Sequence, residues 1–182
     1  MVFMSEDQRM LRRLRAGDKD ALRRIYEKYI DDLLRVALSL LSDVQAAEDC
    51  LHDVFVGLAG AAGGLMIRRN LKSYLVSCVA NRARDQLRRR TRQLTCQPKQ
   101  LCPQPISRNP VKQLIDAEES ARVFEALAEL PYQQREVFVL RVQGEMRFRE
   151  IAGLLGISIN SAQSRYRYAI EKLRAVLDEE PK

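Results

Sequence analysis

Between residues 95 and 110 the chain reads TCQPKQLCPQPISRNP, and the prolines at 98, 103, 105 and 110 forbid a continuous helix through this stretch. Each proline lacks an amide donor, and its ring collides with the preceding helical turn. A chain of 182 residues can form one medium domain or two small ones, and a proline-rich joint in its middle selects two. Proline stiffness and missing donors should keep the joint extended, so that it spans distance without collapsing.

On both sides of the joint, apolar residues recur at three- and four-residue steps with no sustained alternation, which predicts an all-α protein built from two helical modules. In the first module Leu22, Ile25, Tyr26, Tyr29, Leu33, Ala37 and Leu40 form one stripe on a helix that Asp18 can cap. Ser42 with Gln45 has capping-box spacing and predicts the start of a second helix with Ala47, Leu51, Val54, Phe55 and Leu58 on its apolar face. Gly60, Gly63 and Gly64 interrupt the pattern, and Asn70 can cap a third helix over about residues 71–92. Its apolar face is Leu71, Tyr74, Leu75, Cys78, Val79 and Leu87, and it ends in the basic run Arg88, Arg89, Arg90 and Arg92.

The second module begins near Leu114 and should pack Val123, Phe124, Leu127 and Leu130 before Pro131 ends the helix; a short helix follows over 132–142 with Val137, Phe138 and Leu140 inward. Then comes FREIAGLLGISINSAQSRYRYAIEKLRAVL from Phe148: a short helix, Gly156 at a turn, Ser158 as N-cap and a long final helix, the layout of a helix-turn-helix. Ile151, Leu154, Leu155, Ile157, Ala162, Ile170 and Leu173 are its expected anchors, which turns Asn160, Ser161, Gln163, Ser164, Arg165, Arg167 and Tyr168 outward.

The net charge of +7 suits a polyanionic partner, and it is uneven. Residues 1–94 carry 18 basic and 12 acidic side chains, residues 95–119 three of each, and residues 120–182 ten and nine. No apolar run approaches the ~20 residues that cross a bilayer, and the first residues have no secretion-signal pattern, so a cytoplasmic protein with no membrane partner is expected. Cys50, Cys78, Cys96, Cys102 and the single His52 lack zinc-site spacing, so neither metal nor cofactor is predicted. Cys50 and Cys78 read as buried apolar groups, and Cys96 and Cys102 fall in the joint, where a redox pair is the alternative to two inert thiols.

The ordered texts GDKDALRRIYEKY, AAEDCLHDVF and NLKSYLVSCVANRARDQLRRR, then ALAELPYQQREVFVLR and FREIAGLLGISINSAQSRYRYAIEKLR, resemble regions two and four of the extracytoplasmic-function (ECF) sigma factors of bacterial RNA polymerase, from about Gly17 to Leu177. The resemblance implies residues 1–94 as region two, 95–118 as linker and 119–182 as region four. It implies a transcription initiation factor with no catalysis of its own. Its partners would be core RNA polymerase, through the clamp and flap of the large subunits, and promoter DNA, melted at the minus-ten element and duplex at the minus-thirty-five element. Many members also have an anti-sigma partner.

Glu48, Asp49, His52 and Asp53 form an acidic patch, read here as opposite Leu51 and Phe55; by resemblance these four and Phe55 meet the polymerase clamp, with a solvated helix face as the bland alternative. Asn81, Arg84, Asp85, Arg88 and Arg89 read as one side of the third helix, and with Arg68, Arg69, Asn70 and Tyr74 they match the minus-ten region, the loop 63–70 forming a pocket for an unpaired base. Tyr74 stands where the family usually has tryptophan, and it also fits a plain core aromatic. Asn160, Ser161, Gln163, Ser164, Arg165, Arg167 and Tyr168 match the surface that reads the minus-thirty-five duplex, with Arg165 assigned to phosphate. The rival is a helix-turn-helix regulator that binds an operator unaided; an enzyme is disfavoured because no phosphate-cradling glycine motif, zinc motif or triad is present.

Overall fold

Several helix starts along the chain are set by short polar side chains that satisfy free amides. The computed structural model describes residues 5–64, 67, 70–96 and 118–178, and the loop positions Met66, Arg68 and Arg69 and the prolines of the joint lie outside them. Ser5 and Gln8 form a capping box that opens helix α1 (Glu6–Arg15), a helix the sequence reading did not include. Asp18 caps α2 (Lys19–Leu41) as expected, accepting the Asp20 amide at 2.9 Å. Ser42, expected to open α3, instead closes α2 in a left-handed conformation (φ 52°), and Asp43 caps α3 (Val44–Gly60) by accepting the Ala46 amide at 2.9 Å. The carboxylate wins because the start of α3 is one residue later than the serine spacing suggested.

A short 3-10 turn over Ala62–Gly64 follows, and Asn70 accepts the Lys72 amide at 2.9 Å at the head of α4 (Leu71–Cys96). Helix α4 runs past Arg92 to Cys96, which the sequence reading had put in the joint. In the second module α5 (Glu118–Glu129), α6 (Tyr132–Val142), α7 (Phe148–Leu155) and α8 (Ile159–Asp178) follow the expected order. None of the described helices is long and apolar enough to cross a membrane.

Helix α2 is the axis of the first module, flanked by α1, α3 and α4. Ile25, Leu33, Ala37 and Leu40 of its stripe are fully buried, as is Val36 beside them, while Tyr26 stays 46 % exposed. In the second module α8 packs on α6 and α7, and α5 closes over α8 through a small cluster of Ala126, Leu127, Leu130, Ala169 and Leu173. Val123, expected in this packing, is exposed, and Ala126 takes the inward position. Leu154, Leu155, Ile157 and Ile170 are only half-buried, so the helix-turn-helix rests chiefly on Ile151, Ala162, Ala169 and Leu173.

The two modules do not stand apart. Helix α6 lies against α2 and α4, and Val137, Val139, Leu140, Met146 and Ile151 join the same apolar core as Leu33, Leu75, Val76 and Val79. Val76, absent from the expected face of α4, is fully buried and meets Gly144, where an added Cβ would lie 2.8 Å from its Cγ1.

Candidate functional site

Three surfaces carry the candidate side chains. The first is a groove of about 610 Å³ between α2 and α3, walled by Leu22, Tyr26, Ile30 and Leu34 on one side and Leu51 and Phe55 on the other. Tyr26 and Phe55 meet edge to face, with ring centroids 4.9 Å apart, and Val56 at the margin is 55 % exposed. Glu48 and His52 line this same groove. The acidic patch is therefore not opposite Leu51 and Phe55, because positions 48, 51, 52 and 55 follow the i, i+3, i+4, i+7 rule and share one stripe. Asp49 is exposed and accepts the Gln45 amide at 3.2 Å. Asp53 leaves the patch altogether and turns toward α4.

That turn builds the second surface, a cleft of about 350 Å³ between α3 and α4 lined by Asp53, Tyr74, Cys78, Asn81, Arg82 and Asp85 among others. Arg82 binds Asp53 through Nε at 2.9 Å and through Nη2, a pairing the sequence reading missed although Arg82 adjoins Asn81. Tyr74 is half-buried: burial, reinforced by the neighbouring Cys78, pushes its hydroxyl up to about 12. It is thus both packed against the core and open to the cleft. Asn81 and Asp85 face this cleft, Arg88 and Arg89 are exposed further along α4, and Arg84 departs from the expected common side. Arg84 points into the second module, donating to Glu136 Oε1 from Nε (3.1 Å) and Nη2 (2.9 Å) and to Asn81 Oδ1 from Nη1 (3.1 Å).

The third surface is the helix-turn-helix. Gly156 takes the left-handed conformation (φ 66°) that lets α7 end, and Ser158 accepts the Ser161 amide at 3.0 Å at the start of α8. Tyr166 fixes the roll of α8, stacking on Phe138 and meeting Phe148 edge-on. That roll leaves Asn160, Ser161, Gln163, Arg167 and Tyr168 exposed, while Ser164 and Arg165 are half-buried. Arg167 lies over the Tyr168 ring at 5.5 Å, holding a flat cationic pair at the surface.

Two family models match the chain: sigma-70 region 2 over residues 25–93 and sigma-70 region 4 over residues 120–173. The chain is 22 % identical over 182 residues to the ECF RNA polymerase sigma factor SigW of Bacillus subtilis, covering 93 % of this chain and 96 % of that one. It belongs to the ECF sigma factors of the sigma-70 family. It is also 28 % identical over 157 residues to the probable RNA polymerase sigma factor RfaY of Xanthomonas campestris, covering 82 % of this chain but 38 % of that longer relative. Its fold matches the sigma factor RpoE of Bartonella quintana, solved in complex with the anti-sigma factor NepR, at a TM-score of 0.70, 21 % identity and coverage of 87 % and 98 %.

In this sigma factor the groove and the cleft lie on opposite flanks of α3, so one helix serves two surfaces. The residues alternate between them by helical geometry, with Glu48, Leu51, His52 and Phe55 toward α2 and Asp53, Val54, Gly57 and Leu58 toward α4. The cleft is mixed in character, lined by the carboxylates Asp53 and Asp85, the cation Arg82 and the neutral amide Asn81. Such a lining can accept hydrogen bonds from an amino group as readily as it can donate to a carbonyl.

Proposed function

We propose that this sigma factor binds core RNA polymerase and directs it to a set of promoters, with residues 1–94 acting at the minus-ten element, residues 119–182 at the minus-thirty-five element and residues 95–118 linking them. The chemistry belongs to the polymerase, and the sigma factor supplies binding and recognition in the cytoplasm. The groove between α2 and α3 offers the polymerase clamp an apolar floor with Glu48 and His52 at its edge. Asp49 flanks it, whereas Asp53 serves the cleft.

The cleft between α3 and α4 receives an unpaired base of the melted minus-ten strand, with Tyr74 as a wall and Asn81, Arg82 and Asp85 as polar contacts. Arg88 and Arg89, with Arg68 and Arg69 of the preceding loop, hold the phosphates. On α8, Gln163 and Arg167 meet base edges of the duplex and Arg165 meets phosphate. What carries the reading is the match, in one chain and in order, to both region two and region four.

Run-off transcription on a genomic DNA library with purified core polymerase tests it. A sigma factor converts core enzyme into one that starts at discrete sites. A chain that starts no transcript yet binds some duplex tightly without polymerase is instead a conventional helix-turn-helix regulator, and the proposal fails.

A further inference from the structure

Helix α1 sorts its charges. Its two carboxylates turn to α2, where Lys28 Nζ binds Glu6 at 2.7 Å and Asp7 at 2.9 Å, and the Tyr29 hydroxyl donates to Asp7 at 2.8 Å. Of its four arginines only Arg13 finds an acid among the described residues, Asp18 at 2.6 Å. Arg9, Arg12 and Arg15 are exposed and make no ion pair among the described residues. Spaced three residues apart, they follow one another along the face that Met10, Leu11 and Leu14 leave outside. The helix dipole favours cations in the last turn, where Arg12 and Arg15 stand. It does not account for Arg9, which lies in the middle of the helix.

The place of this row matters as much as its charge. Gly57 and Leu58, near the end of α3, line the cleft between α3 and α4. Helix α3 stops at Gly60, the turn Ala62–Gly64 follows, and α1 rests against that turn. We propose that Arg9, Arg12 and Arg15 extend the cleft into a longer DNA site, holding phosphates of the melted strand after it passes Gly57. The inference rests on the proposed assignment of the cleft to that strand. Successive arginines are about 4.5 Å apart along the helix axis, and their long side chains can follow a single strand of irregular pitch. Helix α1 has no aromatic side chain on which a base could stack, so the contact is to phosphate and adds affinity without sequence preference. Its apolar side chains are all buried, so a protein partner would find no anchor there, whereas a polyanion needs none.

The test measures the full chain by fluorescence anisotropy with fluorescein-labelled, random-sequence single strands of roughly 8 and roughly 20 nucleotides, across a salt series. Only the long strand can occupy the cleft and reach α1. Three phosphate contacts should make the slope of log affinity against log salt steeper by about 2 for the long strand than for the short one. Arg9→Gln/Arg12→Gln/Arg15→Gln should bring the long strand to the slope of the short one. Arg9→Lys/Arg12→Lys/Arg15→Lys should keep the difference, because charge suffices for phosphate. Both triple variants alter exposed positions and should melt as wild type does. Arg88→Gln/Arg89→Gln, in the proposed cleft contacts, should weaken both lengths. A glutamine triple variant with the wild-type slope overturns the inference, and if Arg88→Gln/Arg89→Gln still weakens both lengths the cleft assignment stands. If Arg88→Gln/Arg89→Gln changes neither length, the cleft assignment fails and takes the inference with it. Wild type that binds neither strand, or both with one slope, also overturns the inference. So does a glutamine triple variant that keeps the slope but loses capture of core polymerase, which would make α1 a protein contact.

Discussion

Replacing Asp43 separates two contributions that one carboxylate makes to the helix bearing both proposed surfaces of region two. Asp43 Oδ1 accepts the Ala46 amide at 2.9 Å, and Oδ2 accepts Arg90 Nη2 at 3.0 Å, joining the start of α3 to the basic end of α4. Losing the cap costs about 1 kcal/mol. The ion pair is about two-fifths exposed on each side, so solvent screening holds it to about 0.5 kcal/mol. Asp43→Ala should therefore destabilise by about 1.5 kcal/mol, or about 3–6 °C in Tm for a chain of this size. Asp43→Asn keeps an acceptor for the amide and should lose only the pair, as should Arg90→Ala. Thermal melts of the three variants and of Asp43→Asn/Arg90→Ala complete the cycle. Equal losses for Ala and Asn would refute the claim that the cap dominates.

The same carboxylate fixes a pH dependence. Burial raises the Asp43 pKa, but the Ala46 amide and Arg90 more than offset it, and the folded value lies below the ordinary one. A depressed folded pKa gives stability that is complete above the unfolded value of about 3.9 and is lost as pH falls through the folded value. Wild type should thus lose an increment of stability below about pH 4 that Asp43→Ala has already lost. A parallel acid limb in both proteins would place the titration elsewhere.

Val56→Asp, at the edge of the α2–α3 groove and 55 % exposed, should shift stability by less than about 0.5 kcal/mol yet weaken capture of core polymerase; intact capture in a pull-down with an unchanged melt counts against the groove as the docking site. Gln163→Ala should relax sequence preference at one position of the selected duplex at a cost of about 1–3 kcal/mol, whereas Arg165→Ala should weaken all sequences alike; binding-site selection distinguishes them. Ile151→Ala, in the fully buried anchor of the helix-turn-helix, should cost about 2–5 kcal/mol in urea unfolding, and a loss under 1 kcal/mol would contradict its place in the core.

Local rules explain which features were legible in the sequence. The helices of both modules follow from the three- and four-residue apolar steps, and Asp18, Asn70 and Gly156 mark ends that the structure keeps. Helix α1 is weakly marked in the sequence although Ser5 and Gln8 carry the capping pattern, because only Met10, Leu11 and Leu14 bury themselves among several arginines. Its hold comes from outside, where Lys28 reaches Glu6 and Asp7, and Tyr29 donates to Asp7. Glu48 and His52 are hard to place from sequence for a different reason. Helix α3 is covered on two flanks, so Ala47, Cys50, Val54 and Leu58 form one apolar stripe and Leu51 and Phe55 a second, and the acidic residues belong beside the second.

The seam between modules was illegible for a physical reason. A glutamate on a helix ordinarily reads as solvent-facing, and Glu136 departs from that only because Arg84 arrives from 52 residues away to neutralise it. Gln143 and Ser39 are 104 residues apart, and neither breaks the periodicity of its own helix. Periodicity fixes which face a helix hides, but not which distant helix hides it. Burying an ion pair also adds little net stability, since desolvating both charges consumes most of their attraction, whereas leaving either one alone is costly. Such a pair makes a poor glue and a sensitive contact: it holds only while both partners are present, and removing either leaves the other buried without its counter-charge.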